Sequence, residues 1–290
     1  MTIMSNPPLV SRNHWQLLRI ELLWLYRNIV ERKHIGRWGY TPHTSAWLVL
    51  KGSASIRRKE GFAEARKGDW LIGPPGERFQ QASEDCELLS IAFLAQWVFG
   101  RELFSISRPL SFSGEEAPTL RLLGLGLSSD AKRLFPSSRR ELPALSGPVR
   151  SHLKLTADFY SWFEVLCGVL EKKGIQPDVV ELDPRVEKAV RILDRAEQQM
   201  PGPVEMARQI GLSASQLSRL FRQELGITVH EYCQKRKLAA ARTLLATSGS
   251  SVKETAFRLG FLSSQHFSRW FHLGAGMTPS QCQARGHAVL

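Results

Sequence analysis

Apolar and polar positions divide the chain into two regimes. Residues 46–50, 53–58, 62–65, 70–73 and 87–93 form short runs separated by the turn dipeptides Lys51-Gly52, Glu60-Gly61 and Gly68-Asp69, and they read as strands. Many short strands with this punctuation predict a sandwich or small barrel. After Val149 the period lengthens: Val149, Leu153, Phe159, Phe163, Leu166 and Leu170 recur at helical spacing, with Lys172 and Lys173 near the end and Gly174 as a stop signal. So long an apolar face is expected to pack on the strands or on a second copy of the chain. Elsewhere the pattern is weaker. Residues 1–13 carry Pro7-Pro8 and are expected to lack order, residues 14–30 fit a helix and a strand equally, and residues 108–148 show no clean period around the apolar stretch 120–127.

From residue 203 to residue 283 the periodic pattern is written twice. The first copy reads Ala207-x3-Gly211-Leu212-Ser213, then Leu217, Arg219, Phe221, Gly226 and Thr228; the second reads Ala256-x3-Gly260-Phe261-Leu262-Ser263, then Phe267, Arg269, Phe271, Gly276, Thr278 and Pro279. A small alanine lets a second helix cross close to the first, and the glycine supplies the positive φ that a short inter-helix turn uses. Ser213 and Ser263 stand where an N-cap hydroxyl begins the second helix of each pair. On those helices Leu217, Leu220, Phe221 and Leu225, and Phe267, Trp270 and Phe271, gather on one face. Ser215, Arg219 and Arg222, and Gln265, Arg269 and His272, gather on the other. Such outward groups are the ones that bond base edges in a major groove.

Residues 229–247 between the copies read as one helix with Tyr232, Ala239, Ala240, Leu244 and Leu245 inward. It would be roughly 27 Å long, comparable with the ~34 Å between successive major-groove faces, so the two reading helices are expected to enter adjacent grooves. Upstream, residues 174–182 with Pro177 read as a linker, and Asp183-Pro184 starts a helix to about Gln199. Ser251 and Glu254 form a capping box for the second repeat.

Charge agrees with an anionic partner. The formal net charge is +12, and from Asp183 onward 15 Lys or Arg stand against eight Asp or Glu. The apolar run 15–26 is interrupted by Arg19 and Glu21, which argues against a secretory signal or a spanning helix. Cys86, Cys167, Cys233 and Cys282 are scattered and form no Cys-x-x-Cys pair, as expected of reduced thiols in a cytoplasm.

The repeat resembles the DNA-binding domain of AraC/XylS-type transcription regulators. The family's C-terminal signature is met by Ala256, Gly260, Phe261, Ser263, Phe267, Arg269, Phe271, Gly276, Thr278 and Pro279, and it is departed from at His272 and at Cys282-Gln283. The resemblance implies base contacts from Ser215, Ser218, Arg219, Gln265, His266 and Arg269. Contacts to the DNA backbone are expected from Arg222, Lys235, Arg236, Lys237, Arg242 and His272.

Two further fragments, residues 47–52 and 68–76, resemble the cupin-like barrel that many members use as a sensor. The implied fold class is α+β: a cupin-like N-terminal barrel with following helices over residues 1–180, then an all-α domain over 181–290 with two helix-turn-helix motifs joined by a linker helix. Cupin metal ligands are missing, since His43 has no histidine two residues away and Phe79 stands where the second motif would carry one. No metal, no cofactor and no catalytic residues are therefore expected. Trp38, His43, Trp47 and Trp70 are candidates to line an effector pocket, although barrel core is the favoured reading for any one of the tryptophans taken alone.

These readings predict a cytoplasmic, effector-controlled regulator with promoter DNA, a small molecule, RNA polymerase and a second copy of itself as partners. The alternatives are a cupin-type enzyme with an accessory helical domain and a DNA-binding protein that needs no effector.

Overall fold

The computed structural model describes residue 10 and residues 12–30, 36–135, 147–179, 181–195, 203–246 and 251–286. The expectations for residues 1–9, for the end of the helix near Gln199 and for Thr247 lie outside the described residues. The elements run α1 (Arg12–Trp15), β1 (Leu18–Ile29), β2 (Arg37–Thr41), β3 (Thr44–Lys51), β4 (Ser53–Arg58), β5 (Gly61–Arg66), β6 (Asp69–Gly73), β7 (Gly76–Ala82), β8 (Glu87–Trp97), β9 (Leu110–Ser113), α2 (Pro118–Leu134), α3 (Val149–Lys172), α4 (Pro184–Arg195), α5 (Pro203–Gln209), α6 (Ala214–Leu225), α7 (Val229–Ala246), α8 (Val252–Arg258), α9 (Ser264–Ala275) and α10 (Pro279–Gly286). They form two compact units.

One unit is built on Ile20–Ala95 and Phe104–Gln176. Its strands make two antiparallel sheets, β1-β8-β3-β6-β9 and β2-β7-β4-β5. The α+β reading holds, but the expected barrel does not close: β1 and β9 end one sheet, β2 and β5 end the other, and no ladder among the described residues joins them. Alternation on a sheet sends successive side chains to opposite faces. Trp47 and Leu71, paired between β3 and β6, therefore share a core with Ile56 and Ala54 of β4.

Of residues 14–30, the first two close α1 and Leu18–Ile29 resolve as a strand because β1 lies beside β8, with Ile20 and Tyr26 buried. β7 is hidden in the sequence for the opposite reason: its inward residues are Arg78 and Gln80, so it lacks an apolar alternation.

The outer face of the β1-β8-β3-β6-β9 sheet is covered by α2 and α3. Trp70 meets Trp162 at 6.0 Å between ring centroids, and Phe93 meets Phe163 at 5.4 Å. Where the sequence showed no period, α2 starts at Pro118 and approaches closely through Gly124, at which a Cβ would come within 3.1 Å of Trp70 and 3.3 Å of Trp162. The buried face of α3 is Leu155, Phe159, Trp162, Phe163, Leu166 and Leu170. Val149 and Leu153, expected on that stripe, are 73% and 64% exposed because α3 buries its apolar face only from its second turn onward.

The second unit holds the helices from Pro177 to Gln283 together with Gln96–Leu103 and the chain up to Arg19. The two N-terminal segments, placed by sequence on the far side of a boundary at 180, are tied in by backbone polar groups. Val98 N–H donates to Leu17 (2.8 Å), the Trp97 indole to the Asp178 carbonyl (2.8 Å), and the Tyr232 hydroxyl to the Val98 carbonyl (3.2 Å). No described helix is long and apolar enough to cross a membrane.

Candidate nucleic-acid interface

The sequence repeat is also a repeat of bonds. In each copy the glycine turns the chain at nearly the same φ, 75° at Gly211 and 74° at Gly260, a region costly for side chains with a Cβ. The residue after it then donates its amide back to the alanine of the first helix at 2.9 Å, Leu212 to Ala207 and Phe261 to Ala256. Ser213 accepts from the Gln216 amide and Ser263 from the His266 amide, each at 3.2 Å, which fixes the first turns of α6 and α9. Both helices end on a left-handed glycine, Gly226 or Gly276. Ser251 and Glu254 cap α8 reciprocally.

The apolar faces anchor both α6 and α9 to α7. Phe221 packs edge-on against Tyr232 at 5.5 Å, while Phe267 and Phe271 join Ala241, Leu245 and Ala256 in one cluster. Trp270 donates its indole N–H to Gln234 at 2.6 Å. On α7 itself Val229, Tyr232, Ala241 and Leu245 are buried, whereas Ala239 and Ala240, expected inward, are exposed; the side chains that contact α8 and α9 lie one helical step away.

With these faces buried, the opposite faces are open. Ser215, Ser218 and Arg219 on α6 and Gln265, His266 and Arg269 on α9 are all exposed. Gln265 and Arg269 also line a groove with Lys253 and Ser268, which brings a cation and an amide from α8 and α9 to one surface. Arg222, Lys235 and His272 are exposed as expected. Arg242 is partly exposed and engaged with neighbours. Arg236 and Lys237 depart from the expectation: Arg236 donates to the Leu193 carbonyl of α4, and Lys237 lies over the Phe261 ring. Both are used within the helical unit, because their side of α7 faces its neighbours.

The four candidate effector residues do not come together. Trp38, on the outer face of the β2-β7-β4-β5 sheet, is 57% exposed and rests on Phe79 at 5.9 Å. Trp47 points between the sheets, and Trp70, next to it across the ladder as the partner of Leu48, points to the other face and α3. One pocket cannot hold side chains from three surfaces. His43 and Trp47 do share a neighbour that the sequence reading missed, Arg78. It lies under the Trp47 ring at 5.2 Å, and its charge, after burial, helps hold His43 down to about 4.

A helix-turn-helix domain family matches residues 206–285. The chain is 33% identical over 245 residues to the arabinose operon regulatory protein of Salmonella typhimurium, covering 82% of each chain. The chain belongs to the AraC/XylS-type family of DNA-binding transcription regulators. It is also 31% identical over 128 residues to the transcriptional activator RhaS of Klebsiella pneumoniae, 44% of this chain and 46% of that one, so this match spans less than half of the relative. A solved AraC-type DNA-binding domain from Chromobacterium violaceum is 29% identical, covering 36% of this chain and 92% of that one, with a TM-score of 0.34.

As an AraC-type domain the helical unit accommodates its departures from the signature. Cys282, one of these departures, is buried in the cluster with Phe271 and Met277. Thr278 and Gln281 cap α10 reciprocally, at 2.9 and 3.2 Å. All four cysteines are free thiols, and burial pushes Cys86 up to about 11 and Cys167 to about 12, which removes their thiolate character at neutral pH. Among the described residues no group of three or more His, Cys, Asp or Glu is placed to hold a metal ion.

Proposed function

We propose that this regulator reads promoter DNA with α6 and α9 and that its sandwich unit takes a small-molecule effector which sets promoter occupancy. The observation that carries the first part is the shared exposure of Arg219 and Arg269 at matching positions of two helices whose aromatic faces are locked onto α7. Ser215, Ser218, Gln265 and His266 complete the base-reading set; Arg222, Lys235, Arg242 and His272 bind phosphates and supply the salt-dependent share of affinity. Residues 181–290 act as the DNA-binding domain, in the cytoplasm, and the two reading helices enter adjacent major grooves. Effector binding acts by population shift, favouring the DNA-competent arrangement through its differential affinity for two states. The regulator works as a homodimer and contacts RNA polymerase at the promoter; the open apolar residues Val149 and Leu153 of α3 support the dimer.

Selecting bound sequences from a random duplex pool, with and without a metabolite extract, tests this reading. Enrichment of a site with two sequence blocks about one helical turn apart, changed in yield by the extract, is expected. Binding that enriches no sequence would refute the reading.

A further inference from the structure

The space between the two sheets changes character along the strands. Along β3 the inward residues run Val49, Trp47, Ser45; their partners on β8 are Leu88, Ser90 and Ala92. Around Val49 the core is apolar, with Tyr26, Val30, Ala65 and Leu88. Around Ser45 it is polar: Ser45, Ser90, Thr41, Gln80 and Arg78 are all buried. Thr41, Arg78 and Gln80 come from β2 and β7 of the facing sheet, so the polar groups of the two sheets meet.

Arg78 is the centre of this region. Its residue surface is 0% exposed, and among the described residues its guanidinium makes one hydrogen bond, from Nη1 to Ser45 Oγ across the sheets at 2.8 Å. Among the described residues its Nε has no partner, nor do Ser90 Oγ, Thr41 Oγ1, Gln80 Oε1 and Trp47 Nε1. No carboxylate among the described residues pairs with it. The charge it feels is a second guanidinium, Arg58, whose own acid is Glu60 at 3.2 Å. Burial and Arg58 lower Arg78 to about 9, which leaves it charged at neutral pH.

Water can satisfy a hydroxyl or an indole N–H, but it does not neutralise a buried charge, and a buried ion without a counter-ion is among the costliest arrangements a core can hold. A space-filling role would be served more cheaply by an apolar side chain of similar volume. The neighbouring backbone is also shaped for the guanidinium: at Gly73 a Cβ would collide with Arg78 Nη1 and come within 2.7 Å of Ile56. A guanidinium is a planar fork of donors that matches the two oxygens of a carboxylate or phosphate. His43, in the turn between β2 and β3, keeps part of its surface in solvent, so the polar region reaches the rim of the sandwich.

We propose that the effector is a small organic oxyanion, a carboxylate or a phosphate ester, whose charged group seats on Arg78 between the sheets while Ser45, Ser90 and Gln80 bond its polar remainder and Trp47 covers its apolar part. The proposal rests on the reading that the sandwich unit takes an effector, and it names that ligand's class.

The test uses the full chain, with melting temperature and calorimetric titration read at constant ionic strength in chloride. One arm offers succinate and benzoate against succinamide and benzamide; the other offers inorganic phosphate and glucose 6-phosphate against glucose. A saturable rise in melting temperature with an oxyanion and none with its neutral counterpart is expected, and the responding arm identifies the source of the oxyanion. Arg78→Met should weaken that binding on the order of a hundredfold, Arg78→Lys should fall between, and Ser90→Ala should weaken it severalfold, which keeps the test valid if Arg78→Met does not fold. Equal binding by parent and variants, or no response in either arm, overturns the proposal. If a neutral compound alone shifts melting and DNA occupancy, effector control stands and the oxyanion assignment falls; if no component of a metabolite extract does, both fall.

Discussion

Lys237 Nζ lies 4.0 Å from the centroid of the Phe261 ring and 5.9 Å from that of Trp270, so a cation on α7 is seated on an aromatic pair formed by the turn before α9 and the middle of α9. Burial lowers its pKa, while Lys235, two residues away, is exposed. Their replacements should therefore behave differently. Lys237→Ala should cost about 1 kcal/mol of stability through the lost cation–π contact and stem packing and leave the salt dependence of DNA binding unchanged. Lys235→Ala should leave stability unchanged and reduce the slope of log K against log salt by about 1. Urea unfolding and salt-titrated DNA binding measure the two; a changed slope in the Lys237 variant would place it on phosphate instead.

Arg219→Ala and Arg269→Ala should each lower binding to the selected site by about 1–3 kcal/mol, with a smaller loss on random duplex. Equal losses on both duplexes, read by competition titration, would mean that the guanidinium touches phosphate alone.

The caps give a stability prediction independent of DNA. Ser213→Ala and Ser263→Ala remove the acceptors of the Gln216 and His266 amides and should each cost about 1 kcal/mol. Gly260→Ala, at φ 74°, should cost about 1–2 kcal/mol although nothing lies within 4 Å of the added methyl, because the penalty is in the backbone. A neutral effect of Gly260→Ala in chemical denaturation would show that the turn relaxes.

His43 predicts a pH dependence in the sandwich unit. Burial first, and the Arg78 charge second, hold it down to about 4 from an ordinary 6.5. A histidine that binds its proton less readily when folded contributes fully above about 6.5, and that contribution is lost as pH falls through 4. Melting temperature should fall over this window in the parent and less in His43→Gln. The difference between the two curves separates His43 from Glu102, whose carboxyl burial raises to about 7 and which acts in the opposite direction. Superimposable curves would remove His43 from the account.

The sequence by itself determined the helical unit. Ala207, Gly211 and Ser213, and their counterparts Ala256, Gly260 and Ser263, act through bonds spanning a few residues, so their spacing already implies the turn, the cap and the outward arginine. Strands with an apolar inward face were legible for the same local reason. Only the tertiary structure decided the rest. Whether residues 18–29 extend is settled by β8 alongside them, and whether two sheets close into a barrel depends on their edges, which no single strand encodes. The three tryptophans were separated onto three surfaces by strand register, since one step along a strand reverses the face. Arg78 was illegible because alternation conventionally sends a charged residue outward and Phe79 inward; pairing β7 between β2 and β4 reversed that and placed a cation inside the sandwich.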